Sequence, residues 1–191
     1  MSKVSIAGDV NGTGVFTIAS PNGNTNRTLV LPDEGGTIIT TAGVPFSALP
    51  AGSVLQVIQG TTTVRTSVTG STFTATTLTA TITPKKTSSK ILVFGQGMAT
   101  ATQSTAQPVI TLYRGGLNII GSPVPLDYGF GDMYTVSGGY IEGMLPFSIL
   151  DVPSTSSATT YTIYLRNNGT GTASFGSVDR LSVITLMEIA A

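Results

Sequence analysis

The sequence predicts an all-β protein in two parts: a short-stranded N-terminal stem or anchor, followed by an antiparallel β-sandwich head that is jelly-roll-like. Three observations lead to this prediction. Thr and other strand-forming residues dominate the chain, apolar residues alternate with Thr in its longer segments, and Asn-Gly or Gly-Gly pairs separate those segments. No stretch sustains the apolar spacing of an amphipathic helix. We therefore expect strands to form the whole fold.

The first 45 residues are predicted to be a succession of short strands that form a stem or anchoring segment. Turns are expected at Asn11-Gly12, Asn22-Gly23 and Gly35-Gly36, because these residues adopt positive φ at low cost. The segment 46–53 contains a proline and several small residues, so it is predicted to be a linker.

Residues 54–191 are predicted to form the β-sandwich head domain. The segment "SVLQVIQ" is expected to be its first strand. In "TFTATTLTATITP" every second residue is apolar, which is typical of a strand with one buried side; these apolar residues are Leu78, Ala80 and Ile82. The segment "KKTSSKILVFGQG" is expected to form a basic turn and then a strand from Ile91 to Phe94.

The second half of the head is predicted to continue the antiparallel pattern. A hairpin is expected at Gly115-Gly116, and "GYIEGMLPFSILDVP" is expected to form a pair of short strands. The segment "TTYTIYLRNN" places three apolar side chains on one face: Tyr161, Ile163 and Leu165. The segment "LSVITLMEIAA" is expected to be an apolar last strand.

The N-terminal segment has too little apolar surface to fold alone. Its largest apolar side chains lie in two short strands: Leu29, Leu31, Ile38 and Ile39. Two arrangements would bury them. The segment folds back on the head, or the same segment from three chains meets around one axis, which is the arrangement that we favour.

The composition argues against most kinds of enzyme. The chain has no Cys, His or Trp, which removes Cys and His nucleophile or base chemistry, disulfides and the usual zinc sites. Charged residues make up 9% of the chain and its net charge is zero, so no basic patch predicts binding to nucleic acid. We expect neither catalytic activity nor a cofactor. Asp127 and Asp132 could bind a calcium ion together with backbone carbonyls, but the spacing of an EF-hand loop is absent.

The order of several short motifs resembles structural proteins of tailed bacteriophages. The segment "GTGVFTIASPNGNTNRTLVLPDEGGTIITTAG" resembles a stem or attachment module of such proteins. The motifs "SSKILV", "LYRG", "DVPSTSSATTY" and "ITLMEI", in this order, are similar to the terminal head domains of phage tail-fibre-like proteins. The resemblance covers nearly the whole chain and implies a trimeric β-sandwich head, of the tumour-necrosis-factor-like jelly-roll type, that is displayed on a virion.

The resemblance leads to a specific functional hypothesis and two alternatives. The first is a non-enzymatic short tail fibre whose trimeric head attaches to a polysaccharide or protein of the host surface. The second is a capsid decoration protein that binds as trimers to the head shell, and a distant third is a small-ligand-binding β domain. The expected partners are copies of itself and other capsid or tail proteins. The N-terminus has no signal peptide, so the chain would be made in the host cytoplasm, without membrane insertion.

The segment "PLDYGFGDMYTVSGGYIEGM" is the best candidate for a receptor contact. It places four aromatic side chains among glycines: Tyr128, Phe130, Tyr134 and Tyr140. Exposed Tyr on a flexible backbone suits recognition of a sugar or a protein. The alternative is that these rings pack inside the sandwich or at the trimer axis. Glu188 interrupts the last strand, and if it is buried we expect an Arg beside it.

Overall fold

The protein is described here by a computed structural model. It describes residues 10–15, 17, 22–26, 28, 46, 49–102, 105–120, 129–134 and 139–191. The chain divides into two compact units, Met1–Ile38 and Ile39–Ala191. In the first unit, the described residues include a turn at Val10 and Asn11 and bends over residues 22–25, where the Asn-Gly pairs predicted turns.

The second unit is built from antiparallel strands, which confirms the all-β prediction. The described residues form eleven of them: β1 Val54–Thr62, β2 Thr66–Val68, β3 Thr74–Ile82, β4 Lys90–Thr102, β5 Pro108–Arg114, β6 Leu117–Asn118, β7 Gly131–Asp132, β8 Tyr140–Asp151, β9 Thr159–Asn167, β10 Thr172–Phe175 and β11 Ser182–Ile189. The predicted hairpin at Gly115-Gly116 joins β5 to β6, and both glycines have positive φ.

The strands form two sheets. Sheet A has the order β1-β11-β4-β10-β2, and β8 pairs with the other edge of β4. Sheet B has the order β3-β9-β5-β6, and β7 also pairs with β5. Because most neighbouring strands, apart from the β5–β6 hairpin, are distant in sequence, each sheet combines strands from the two halves of the second unit.

The core lies between the inward sides of the two sheets. The predicted alternation is confirmed, because Leu78, Ile82, Tyr161, Ile163 and Leu165 are all 1% exposed or less. They pack against inward residues of sheet A: Ile91, Val93, Ala99, Phe147, Phe175, Ile184 and Leu186. One face of each sheet is thereby buried, and the other faces away from the core.

Strand β8 corrects the prediction of two short strands. It is one continuous strand that pairs with β4 from Tyr140 to Asp151. Pro146 lies in the middle of this strand, opposite Gln96. An edge strand tolerates proline where the missing N–H would point away from the sheet, and among the described residues β8 has β4 as its partner strand.

Strand β4 is longer than the predicted strand from Ile91 to Phe94 because two glycines let it continue under large side chains. A Cβ on Gly97 would lie 2.1 Å from the Phe175 ring, and one on Gly95 would lie 2.1 Å from the carbonyl oxygen of Val183. The strand therefore pairs with β11 along its first half and with β10 along its second half.

Candidate functional site

The outer face of sheet A carries a row of apolar side chains that crosses four strands. Strand pairing places one residue from each strand side by side: Val57, Met187, Leu92 and Leu150. Val57 is 52% exposed and Leu150 50% exposed, while the two central residues are half-buried. We call this row, together with Phe94 and Met144 of the same face, the apolar face.

A shallow hollow lies beside the apolar face and shares Phe94 with it. It has a volume of about 390 Å³ and is lined by Gln59, Phe94, Gly95, Gln96, Phe147, Val183 and Thr185. The lining carries amide and hydroxyl groups but no ionisable side chain. An uncharged face with large exposed apolar groups favours contact with another protein surface over contact with water.

The far end of the outer face of sheet A is polar. Tyr140 donates a hydrogen bond of 2.6 Å to Glu142, and Arg180 forms an ion pair of 2.8 Å with the other oxygen of the same carboxylate. The hydrogen bond from Tyr140, and then the one from Arg180, lower the pKa of Glu142. The same hydrogen bond raises the pKa of Tyr140. This cluster limits the apolar face on one side.

The outer face of sheet B differs in chemistry. Threonine hydroxyls form hydrogen-bonded pairs between β3 and β9: Thr79 with Thr162 at 2.9 Å and Thr81 with Thr160 at 2.7 Å. We call the part of sheet B that these four residues form the threonine face. Its hydroxyls satisfy one another, so the surface is polar without being charged.

An aromatic group lies beside the threonine face. The rings of Tyr113 and Tyr164 stack with centroids 3.8 Å apart, and Phe73 meets Tyr113 edge-on at 6.3 Å. The Arg166 guanidinium lies 5.0 Å from the centroid of Phe73. Burial, and then the neighbouring Tyr164, raise the pKa of Tyr113. The rings cover one another, and they hold the loop that carries Phe73 against the sheet.

The structure separates the four predicted receptor-contact residues. Phe130 packs against the core, with its ring centroid 5.6 Å from that of Phe147, as the alternative interpretation allowed. Tyr134 is 54% exposed and Tyr140 61% exposed, so both are accessible. Tyr128 lies outside the described residues, and so do the four predicted anchor residues: Leu29, Leu31, Ile38 and Ile39.

Glu188 is buried, but the expectation of a neighbouring Arg is wrong. Its carboxyl oxygens accept hydrogen bonds from the side-chain amide of Gln56 at 2.5 Å and from the backbone N–H of Lys85 at 2.6 Å. The Gln56 amide also donates to the carbonyl oxygen of Thr83. Neutral donors therefore satisfy a carboxyl group for which the sequence suggested a cation.

An Arg lies instead in a half-buried polar cluster between the two sheets. Arg114 of sheet B forms an ion pair of 2.8 Å with Asp151 of sheet A, and Tyr161 donates a hydrogen bond of 2.6 Å to the same carboxylate. Burial, and then the hydrogen bond to Asp151, raise the pKa of Tyr161. We call these three residues, Arg114, Asp151 and Tyr161, the clasp, because they join the two sheets at one end of the sandwich.

Within the described part of the chain, no three acidic, Cys or His side chains come close enough together to hold a metal ion. Asp132 accepts a hydrogen bond from the Gln107 amide. Asp127 lies outside the described residues. No helix among the described residues is long and apolar enough to cross a membrane.

The sequence analysis did not single out the apolar face. A signal was present, because "ILVF" is a continuous apolar run and "VITLM" is interrupted only by Thr185, and such runs indicate strands that are covered on both sides. Only the strand register shows that Leu92, Met187 and Leu150 are neighbours. No protein-family model matches the chain, and no curated protein matches it significantly.

Proposed function

We propose that the protein is a non-enzymatic structural protein of a phage virion, a short tail fibre whose homotrimeric jelly-roll head is displayed for attachment to the host surface. The virion role is supported by the ordered resemblance of the sequence motifs. The trimer is supported by the apolar face, which is the observation that carries the proposal. The jelly-roll part is supported by the strand orders of the two sheets.

The apolar face suits a second copy of the chain. The outer face of four strands about 4.8 Å apart, over about nine residues each, has an area of roughly 600 Å². Specific interfaces begin at about 600 Å² per partner, so the apolar face and the residues around it together reach the lower limit of a stable contact. Its centre is uncharged, so two copies meet there without like-charge repulsion.

Association through this face is favoured over pairing between strand edges. The long edge strand β8 has Pro146 in its middle, and a proline on an edge interrupts a new ladder of hydrogen bonds. Face-to-face packing needs no backbone donor from β8, and it buries the large exposed side chains of the row, Val57 and Leu150.

A matched pair of substitutions tests the assignment of the contact. Leu150→Glu places a charge in the apolar face, where the leucine is 50% exposed, whereas Leu117→Glu places one on a leucine of sheet B that is 63% exposed. We expect Leu150→Glu to give a folded monomer by light scattering and Leu117→Glu to remain trimeric. Equal behaviour of the two variants would contradict the assigned contact.

Electron microscopy with antibody against the head tests the virion role. On particles of a phage whose genome encodes the protein, label at the tail supports the fibre proposal. Label spread over the capsid supports the decoration alternative instead. Absence of label on intact particles, with the antibody still binding the purified protein, would reject both virion roles.

A further inference from the structure

A second hollow lies away from the apolar face, between the end of β2 and the start of β3. Its volume is about 400 Å³, and its lining is almost entirely small and polar: Ser67, Val68, Thr69, Gly70, Thr72, Thr74 and Thr172. Five of these seven residues carry hydroxyl groups, and none is ionisable. The volume is within the range of small-ligand sites. We call this feature the hydroxyl hollow.

The hydroxyls of the hollow differ from those of the threonine face. On the threonine face each hydroxyl is paired with another, as Thr81 is with Thr160. In the hollow, the described contacts give no hydrogen-bond partner to the side chains of Thr69, Thr72 and Thr172. These hydroxyls are therefore available to donate to, and accept from, a ligand.

The loop that forms one wall of the hollow is held at two points. The carbonyl oxygen of Gly70 accepts a hydrogen bond of 2.9 Å from the backbone N–H of Asn167. Phe73 contacts the Tyr113 ring and the Arg166 guanidinium. Because the wall is fixed before binding, a ligand does not need to order it, which lowers the entropic cost of binding.

The lining indicates the class of ligand. Without a cationic side chain it does not favour a phosphate or a uronic acid, and without a carboxylate it does not favour a metal ion or an amine. Several free hydroxyls beside the apolar surface of Val68 match a molecule that has hydroxyl groups and C–H surfaces. We infer that the hydroxyl hollow binds a neutral saccharide unit. This inference rests on the proposed display of the head for host attachment, and it names the class of receptor.

Binding to the intact protein tests the inference directly. The probes are neutral oligosaccharides of glucose, galactose, mannose and rhamnose, with matched oligosaccharides that contain uronic acid. We expect at least one neutral probe to bind, with NMR shifts at Thr69, Thr72 and Thr172, and the acidic probes to bind more weakly. If no neutral probe binds at millimolar concentration, or if the shifts lie elsewhere, the inference is overturned.

Isosteric variants separate the hollow from the rest of the surface. Thr72→Val and Thr172→Val each remove one hydroxyl, and each is expected to weaken neutral-saccharide binding roughly two- to tenfold. Thr81→Val removes a hydroxyl of the threonine face and is expected to leave affinity unchanged. Equal affinities for all three variants would overturn the inference.

The inference and the proposed function fail in distinguishable ways. A trimeric protein that labels phage particles but binds no neutral saccharide would leave the virion role intact and remove the hollow as the receptor site. A monomer that is absent from particles yet binds a neutral saccharide through Thr72 would keep the saccharide site and reject the virion role.

Discussion

The outer faces of the two sheets have opposite chemistry although the same kind of strand forms them. Sheet A presents Val57, Leu92 and Leu150 outward, whereas sheet B presents the paired hydroxyls of Thr79 with Thr162 and Thr81 with Thr160. Valine, leucine and threonine all suit a strand, so the strands themselves did not require this difference. The type of an outward residue therefore depends mainly on whether water or another protein surface covers it. In the proposed trimer, the outer face of sheet A is therefore the one that other copies cover, and the outer face of sheet B remains in water.

The largest expected effect comes from giving sheet A the chemistry of sheet B. The triple substitution Val57→Thr, Leu92→Thr and Leu150→Thr retains strand-compatible residues but removes the apolar side chains that a second copy would bury. We expect the protein to become monomeric at micromolar concentration in sedimentation velocity. The control is the double substitution Thr79→Val and Thr81→Val, which should leave the trimer intact. A trimeric triple variant would show that the apolar face is not the contact.

A smaller effect, on the free energy of unfolding, is expected from replacing Gln56, a polar residue on the inward side of sheet A. Gln56→Leu removes the amide that bonds both Glu188 and the carbonyl oxygen of Thr83. Because the buried Glu188 carboxyl group loses this donor, the free energy of unfolding should fall by about 1–3 kcal/mol in chemical denaturation. Gln59→Leu, on the outward side of the same strand, should change it by less than about 0.5 kcal/mol. Equal losses would mean that the two sides of β1 do not differ as described.

Because of the clasp between the sheets, the stability of the folded protein should depend on pH in the alkaline range. The pKa of Tyr161 in the folded protein is raised above its ordinary value of 10.0. Below pH 10 the tyrosine is therefore protonated in both the folded and the unfolded state, and its hydrogen bond contributes fully to stability. Above pH 10 the unfolded state loses this proton first, and stability should fall as the pH rises.

The test of the clasp compares Tyr161→Phe with Tyr134→Phe. The first should cost about 1–3 kcal/mol at neutral pH, because a buried hydrogen bond to a carboxylate is lost, and it should flatten the fall above pH 10. The second changes an exposed ring outside the clasp. Thermal unfolding between pH 7 and 11 measures both. An unchanged alkaline slope in Tyr161→Phe would contradict the assigned role.

The smallest effect is expected on the threonine face. Thr81→Val removes one exposed hydrogen bond to Thr160 and retains a β-branched side chain. The free energy of unfolding should change by less than about 0.5 kcal/mol. A loss above about 1.5 kcal/mol would mean that the hydroxyl pairs hold sheet B together, and would weaken the contrast between the two faces.

The sequence predicted what depends on local pattern. Alternation identified the inward residues Leu78 and Tyr161, and the Gly115-Gly116 pair identified a hairpin, because strand period and positive φ are local properties. It did not predict that β8 continues through Pro146, since this depends on its position at an edge.

The candidate sites depend on strand register, which the sequence does not display. Leu92, Met187 and Leu150 are far apart in the chain and become neighbours only when β4, β11 and β8 are paired. The partners of Glu188 were missed for the same reason, because Gln56 and Lys85 are brought to it by pairing and by a turn. The hydroxyl hollow likewise joins Thr72 to Thr172, which are separated by a hundred positions.

The mass of the intact chain in solution tests the central claim most directly. Sedimentation equilibrium at micromolar concentration should give three times the 19.5 kDa mass of one chain, and the value should not fall on tenfold dilution. A well-folded species of 19.5 kDa at that concentration would contradict the claim that the apolar face is covered by other copies of the protein.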